Sequence, residues 1–310
     1  MGGLWRGLDM PPYSFRLNGR PVKEEEMKLH DTGVIRSGRT YGAMLVMMVA
    51  FIALVSHDTG IAQDSTPLAT IPCLQMITST RICSDTIQAS GGDIRITPIY
   101  HAAVLLEFGG KVIYVDPATR MRGNSGLKMN FSSLPKADLI LITDIHDDHM
   151  EREGIDQIKK PSTIVVAPRA VAITITEAQQ IKNGETKTIA GFNIEAGPMY
   201  NLVRGPRPSE LFHDKGRGNS YVLTLGGKRL YFSGDGECIP EMKTLKNIDI
   251  AFMAMNGRQT MTPAECAECV RAYRPKILYP YHFGDSGLEE LADLVRSGAP
   301  EVEVRARKWY

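Results

Sequence analysis

The stretch of this chain best equipped for chemistry reads Asp144-Ile145-His146-Asp147-Asp148-His149. Five of its six side chains can bind a metal. Imidazole and carboxylate together suit zinc, manganese or iron. Asp and His at alternating positions let several donor groups turn to one side of a tight loop. The residues just before it, 138–143, form an apolar run around Leu139-Ile140-Leu141-Ile142. Such a run suits a strand buried on both faces. Loops at the ends of buried strands are where functional side chains sit on a rigid scaffold. Without that context the alternative is a solvated acidic loop that happens to hold histidines.

The elements that must carry this loop are legible as short strands. Residues 94–100, 103–108 and 111–115 alternate or run apolar, with Gly109-Gly110 as a hairpin turn. Further strands are expected at 163–167, at 186–196 as a hairpin around Ala190-Gly191, and at 220–225 and 228–233 around Gly226-Gly227. Two more apolar strands are expected at 248–255 and 276–281. Helices are expected at 152–159, 170–178, 263–273 and 287–297. Thr262 is a suitable N-cap, followed by Pro263 at the first helical position and Glu265 three residues on. The order suggests two sheets packed face to face with helices outside.

Of 310 residues, 43% are hydrophobic and 23% charged, which is ordinary for a globular chain. The formal net charge of +1 argues against a nucleic-acid-binding domain. No Gly-x-Ser-x-Gly elbow supports a serine hydrolase. Residues 1–26 show no sustained period and read as a disordered or mis-assigned start, with Met27 as the natural beginning. Residues 27–62 read as a signal peptide: basic residues precede an uncharged apolar run at 43–55, short for a membrane span, and small residues permit cleavage after Ala62. This implies a periplasmic or secreted protein. The alternative is an uncleaved anchor, the one case in which a membrane would be a partner. Cleavage leaves 248 residues with no formal net charge. Residues 63–93 read as an N-terminal arm and 94–310 as the working domain.

Five cysteines are too few for a disulfide-built scaffold, though export permits disulfides. Cys73 and Cys83 could pair or stay free. The pair Cys266 and Cys269 lies within the helix after Thr262, whereas redox pairs use a helix N-terminus, so it reads as packing. Cys238, three residues after Asp235, could approach the metals.

The loop at 144–149 resembles the His-x-His-x-Asp-His signature of the metallo-β-lactamase superfamily. Matches continue in order: residues 99–107 with His101, Val115-Asp116-Pro117, residues 219–223 followed by 231–235 ending in Asp235, and 279–282 ending in His282. The branch most similar holds ascorbate-6-phosphate lactonase and the N-acylphosphatidylethanolamine-hydrolysing phospholipase D enzymes. The resemblance implies an α/β fold, a four-layer αβ/βα sandwich with two divalent metal ions at one edge. One site would be Asp148, His149 and His282, with Asp235 bridging. The other would be Asp144, His146 and a third histidine. Two departures stand out: Asp144 replaces the usual histidine, and Asn201 stands near the place of the third. His213 is the free histidine nearby and could substitute.

The added oxygen donors favour harder ions such as manganese, iron or magnesium over zinc, and occupancy by one metal is the alternative. A divalent ion lowers the pKa of bound water from about 15.7 to about 7, giving hydroxide at neutral pH for a lactone, ester or phosphodiester. Asp148 would be both ligand and orienting base. Asp116 would hydrogen-bond a ligand histidine, or simply end a strand. His101 would touch substrate or a ligand. Lys215 and Arg217, in the glycine-containing loop before Asn219, could bind a phosphate or carboxylate, or form a flexible turn. The expected function is therefore an exported metal-dependent hydrolase of a small molecule. The alternative is a degenerate binding protein of the same fold. Asp144 and His213 both facing the metal centre would favour the enzyme.

Overall fold

Strand-forming runs joined by tight turns build two seven-stranded sheets. The computed structural model describes residues 83–121, 128–307 and 309. It also describes the backbones of two short antiparallel pairs, Arg16–Leu17 with Arg20–Pro21 and Met76–Ile77 with Thr80–Arg81. The chain divides into two units, Met1–Gln63 and Asp64–Tyr310. The apolar run at 43–55, the expected cleavage point after Ala62, and Cys73 lie outside the described residues. Among the described residues no helix is long and apolar enough to cross a membrane.

The first sheet takes its strands in chain order: β1 Asp85–Ala89, β2 Gly92–Tyr100, β3 Ala103–Phe108, β4 Lys111–Val115, β5 Leu139–Leu141, β6 Ile164–Ala167 and β7 Gln179–Gln180. Strand β1 comes from the segment expected to be an arm; it pairs with β2 from Asp85↔Ile96 to Ala89↔Gly92. Neighbours from β1 to β4 are antiparallel and those from β4 to β7 parallel. The second sheet follows the same plan: antiparallel β8 Thr186–Ile189, β9 Phe192–Met199, β10 Gly218–Leu225 and β11 Lys228–Phe232, then parallel β12 Ile250–Ala254, β13 Ile277–Tyr281 and β14 Glu303–Val304. The turns Gly109-Gly110, Ala190-Gly191 and Gly226-Gly227 have positive φ at both residues, which matches the twist of the flanking strands. Even Ala190 accepts φ 55° beside Gly191 at 87°.

Alternation along the strands separates two apolar layers. Val104, Leu106, Ile113, Val115, Leu139 and Leu141 face the second sheet, packing with Leu223, Leu230, Phe232 and Phe252. Leu105, Tyr114, Ile140 and Ile142 face outward onto α1 Arg152–Ile158 and α2 Arg169–Ala172, through Ile155, Ile158 and Val171. On the outer side of the second sheet lie α3 Pro240–Lys243, α4 Pro263–Tyr273 and α5 Leu288–Gly298. The four layers are thus helix, sheet, sheet, helix. In-register pairing of Phe232, Phe252 and Tyr279 stacks their rings at 4.6 and 4.9 Å across β11, β12 and β13.

Helix α4 starts as its sequence signals, with Glu265 N–H donating to Thr262 Oγ1 and Thr262 N–H donating to Glu265 Oε2. Helix α2 is shorter than expected. The β-branched run Ile173-Thr174-Ile175-Thr176 loses side-chain freedom in a helix, and the chain leaves it there. The single turn α3, opened by Pro240, was not foreseen from the sequence.

Helix α1 lies directly on the segment after β4. A Cβ on Gly154 would stand 1.9 Å from the carbonyl oxygen of Pro117. Gly154→Ala is therefore expected to destabilise the fold by about 1–3 kcal/mol through overpacking. Chemical denaturation checks this; a loss under about 0.5 kcal/mol, the range of an inert surface change, would contradict the close contact.

Candidate metal centre

The parallel strands of both sheets point their C-terminal ends to one edge, the usual place for a site in α/β sheets. Register fixes what emerges there. Val115 pairs with Leu141, so Asp116 and Thr143 leave the sheet together. Asp116 then accepts from the backbone N–H of Thr143 at 2.7 Å and from its hydroxyl at 2.6 Å. After Thr143 the chain turns tightly, with the N–H groups of His149 and Met150 both donating to the carbonyl of His146. Four of the five potential ligands turn toward the edge, while Asp147 at the apex is exposed. Asp235 follows β11, His282 follows β13, and His101 sits in the turn between β2 and β3. His213 and Arg217 come from the long connection between β9 and β10.

The ligand atoms of Asp144, His146 and His213 lie within 4.8 Å of one another, as do those of His149, Asp235 and His282, and those of His101, Asp148 and His282. Asp235 touches both halves: Oδ1 is 3.2 Å from His149 Nε2, and Oδ2 is 3.3 Å from His282 Nε2 and 3.5 Å from His213 Nε2. Asp148 Oδ2 lies 3.2 Å from His101 Nε2 and 3.6 Å from His282 Nε2. His146 Nδ1 and His213 Nε2 are 2.8 and 3.7 Å from Asp144 Oδ2.

A direct test of fit to a metal is whether buried donors lack partners, because leaving such groups unsatisfied is costly. Asp148 Oδ1, His149 Nε2, His213 Nε2, Asp235 Oδ1 and His282 Nε2 are all buried without a hydrogen-bond partner. All five belong to this one constellation. Three carboxylates and four imidazoles, most of them aimed inward, fit a centre for divalent cations.

Their surroundings hold them ready. His149 Nδ1 is 2.8 Å from Asp116 Oδ2, which aims Nε2 at the centre. Asn201 Oδ1 lies 2.6 Å from His213 Nδ1 and does the same there. Asn256 sits 3.3 Å from His282 Nδ1. Burial pushes the His213 imidazole down to about 4 against the pull of Asp235 and Asp144. Burial and the neighbouring His282 bring His101 down to about 4 as well. Burial alone would raise the Asp144 carboxyl. The hydrogen bond and charge of His146, with His213 and Arg217, outweigh it and hold the group well below the usual range. Burial likewise opposes ionisation of Asp235, and the charges of His149 and His282 overcome it.

The structure brings Asp144, His146, Asp148, His149, His213, Asp235 and His282 to one edge, with His213 grouped beside Asp144 and His146. Asn201 meets His213 through its side-chain oxygen, and its amide donates to Glu237 at 3.2 Å and to the Gln259 carbonyl at 2.7 Å. Lys215 does not face the site: its Nζ is 2.6 Å from Glu241 and lies over the Tyr200 ring. Arg217 binds the ligand Asp144. Cys238 does not approach the metals as a thiol, because it is disulfide-bonded to Cys269. Cys269 is therefore not a simple packing residue, while Cys266 is the buried free thiol. Cys83 is disulfide-bonded too.

Sequence reasoning missed Glu237 and Asn256. Glu237, 2% exposed, accepts from the backbone N–H groups of Val203 and Arg204 and so pins the loop behind Asn201. Its position two residues after Asp235 was the available signal.

A family model described as the beta-lactamase superfamily domain matches residues 95–282, and the chain belongs to that family. A UPF0173 metal-dependent hydrolase of Caldivirga maquilingensis is 29% identical over 216 residues, covering 67% of this chain and 92% of the relative. A solved structure described as a metal-dependent hydrolase from Parabacteroides distasonis is 36% identical. It covers 74% of this chain and all of that one, with a TM-score of 0.66. A metallo hydrolase from Ignicoccus hospitalis, 22% identical over 69% of this chain and 95% of its own, shares the fold with a TM-score of 0.56.

The carboxylate behind His149 gives a direct test. Asp116→Asn is expected to weaken metal binding by about 10–100-fold while the chain stays folded. Competition against a fluorescent chelator measures it; unchanged affinity would mean that Asp116 only ends a strand.

Proposed function

We propose that this member of the beta-lactamase superfamily is an exported hydrolase that uses two divalent ions on a lactone, ester or phosphodiester. The observation that carries the reading is the set of five buried, unpartnered donor atoms on Asp148, His149, His213, Asp235 and His282. Asp144, His146 and His213 would hold one ion; Asp148, His149 and His282 would hold the other, with Asp235 between them. Two imidazoles and a carboxylate at the first group suit manganese or iron as well as zinc. Bound there, such ions would polarise the scissile group and acidify water.

The chain's own residues supply the rest. Asp148 keeps Oδ1 without a partner while His101 and His282 hold Oδ2. That oxygen is placed to orient an attacking water and accept its proton. Asp116 and Asn201 fix His149 and His213 from behind, so the donors need little rearrangement. Asp144 and His213 both face the centre, which favours turnover over a degenerate binding role. The relatives described as metal-dependent hydrolases support hydrolysis. The lactonase-like and phospholipase-D-like branch supplies the substrate classes.

Export finds support in sulfur chemistry. Cys238 bonded to Cys269, and the bonded state of Cys83, suit an oxidising compartment, since cytosolic chains rarely keep disulfides.

Chelation is expected to abolish hydrolysis of lactone, ester and phosphodiester panels, with recovery on adding Mn²⁺ or Zn²⁺. Asp148→Asn should lower kcat by about 10²–10⁴, the usual weight of a general base. Chelator-insensitive turnover, or none on the whole panel, would overturn the reading. Sequencing the N-terminus of the exported protein should begin at Gln63; an intact N-terminus would refute cleavage.

A further inference from the structure

The departure at position 144 has a partner. The side chain of Asp144 is fully buried, and Arg217 grips it at two points: Nη2 lies 3.1 Å from Oδ2 and Nε 3.3 Å from Oδ1. The grip is built in. Arg217 closes a turn by donating its N–H to the Asp214 carbonyl, and two residues later Asn219 N–H donates to the Thr143 carbonyl. The start of β10 is thereby tied to the end of β5, directly beside Asp144. Oδ2 is also the oxygen closest to His146 Nδ1 and His213 Nε2, at 2.8 and 3.7 Å. The atom best placed to join those two imidazoles around an ion is therefore the atom the guanidinium already holds.

A guanidinium stays charged at every accessible pH, and its two-point geometry on a carboxylate is specific. Relative to a histidine at this position, Asp144 adds one negative charge, and Arg217 cancels it. A cation entering among Asp144, His146 and His213 meets a fixed positive charge paired to its own ligand. In a partly buried site that repulsion is screened far less than in water. The Asp148–His149–His282 group, with Asp235 shared between the two, has no guanidinium among the contacts given for its carboxylates, which meet imidazoles.

We propose that Arg217 makes the Asp144–His146–His213 group the weaker of two ion sites, so that the centre loads in order, the Asp148–His149–His282 site first. This rests on the two-ion reading above. It assigns Arg217 to tuning the metal centre, not to substrate binding.

Calorimetric titration of the metal-stripped full chain with Zn²⁺, and separately with Mn²⁺, tests it. The wild type should bind two ions in steps at least about tenfold apart, a gap of about 1.4 kcal/mol. Arg217→Met and Arg217→Gln should each tighten the weaker step by about tenfold or more and leave the stronger one unchanged. Arg217→Lys, which keeps the charge and loses the fork, should stay within about threefold of wild type. Matching thermal midpoints establish that the variants fold. Two equal steps in the wild type, or a weaker step that is unchanged or loosened in both neutral variants, would overturn the proposal and leave the two-ion reading standing. Loss of all ion binding in the wild type would remove that reading itself.

Discussion

Three carboxylates, Asp144, Asp148 and Asp235, share one edge of the sandwich at 0%, 4% and 2% exposure. Burying a charge without compensation is expensive, and burying three together adds their mutual repulsion. Much of the local architecture answers that constraint. Imidazoles from the 144–149 loop, the β9–β10 connection, the β2–β3 turn and the end of β13 surround the acids. Arg217 adds a permanent positive charge on one side. What remains uncompensated points inward, where cations would complete the balance. The packing of the two sheets holds these side chains at one edge.

The backbone shares in that cost. His101, Asp116 and His282 adopt left-handed φ of 53°, 46° and 49°, a region that residues with a Cβ seldom occupy. Each lies just past a strand, and each places its side chain in the constellation. Strain of this kind costs about 1–3 kcal/mol per residue and persists only where neighbours over-determine it. Here they do: Asp116 N–H donates to the Leu141 carbonyl, His282 N–H to the His101 carbonyl, and His101 N–H to the carbonyl of Trp309. The buried Trp309 is thus bonded directly to the turn that carries His101.

The disulfide between Cys238 and Cys269 works one step further out. It ties the connection that leaves Asp235 to helix α4, whose capping residue Glu265 also pairs with Arg204 at 2.8 Å. Arg204 in turn lies 3.4 Å from Glu237, the buried acid that anchors the loop of Asn201. The orientation of His213 is therefore supported by a chain of contacts running through two connections between elements and helix α4.

The amino-acid sequence by itself determined the strands other than β1, β7 and β14, because alternation and apolar runs record burial locally, and it determined the loop at 144–149, because five donors in six residues need no long-range information. Asp116, Asp235 and His282 stood out through their order in the motifs that resemble the superfamily. The sequence left position 201 against 213 open, and in the fold the two side chains meet, with Asn201 Oδ1 2.6 Å from His213 Nδ1. It was silent on Cys238 with Cys269 and on Arg217 with Asp144, pairs separated by 31 and 73 positions. Such pairings depend on which strand ends meet at one edge, and that is settled by sheet order and register. Tertiary structure decided them because a side chain's partner is set by distance in space, while a sequence pattern carries only distance along the chain.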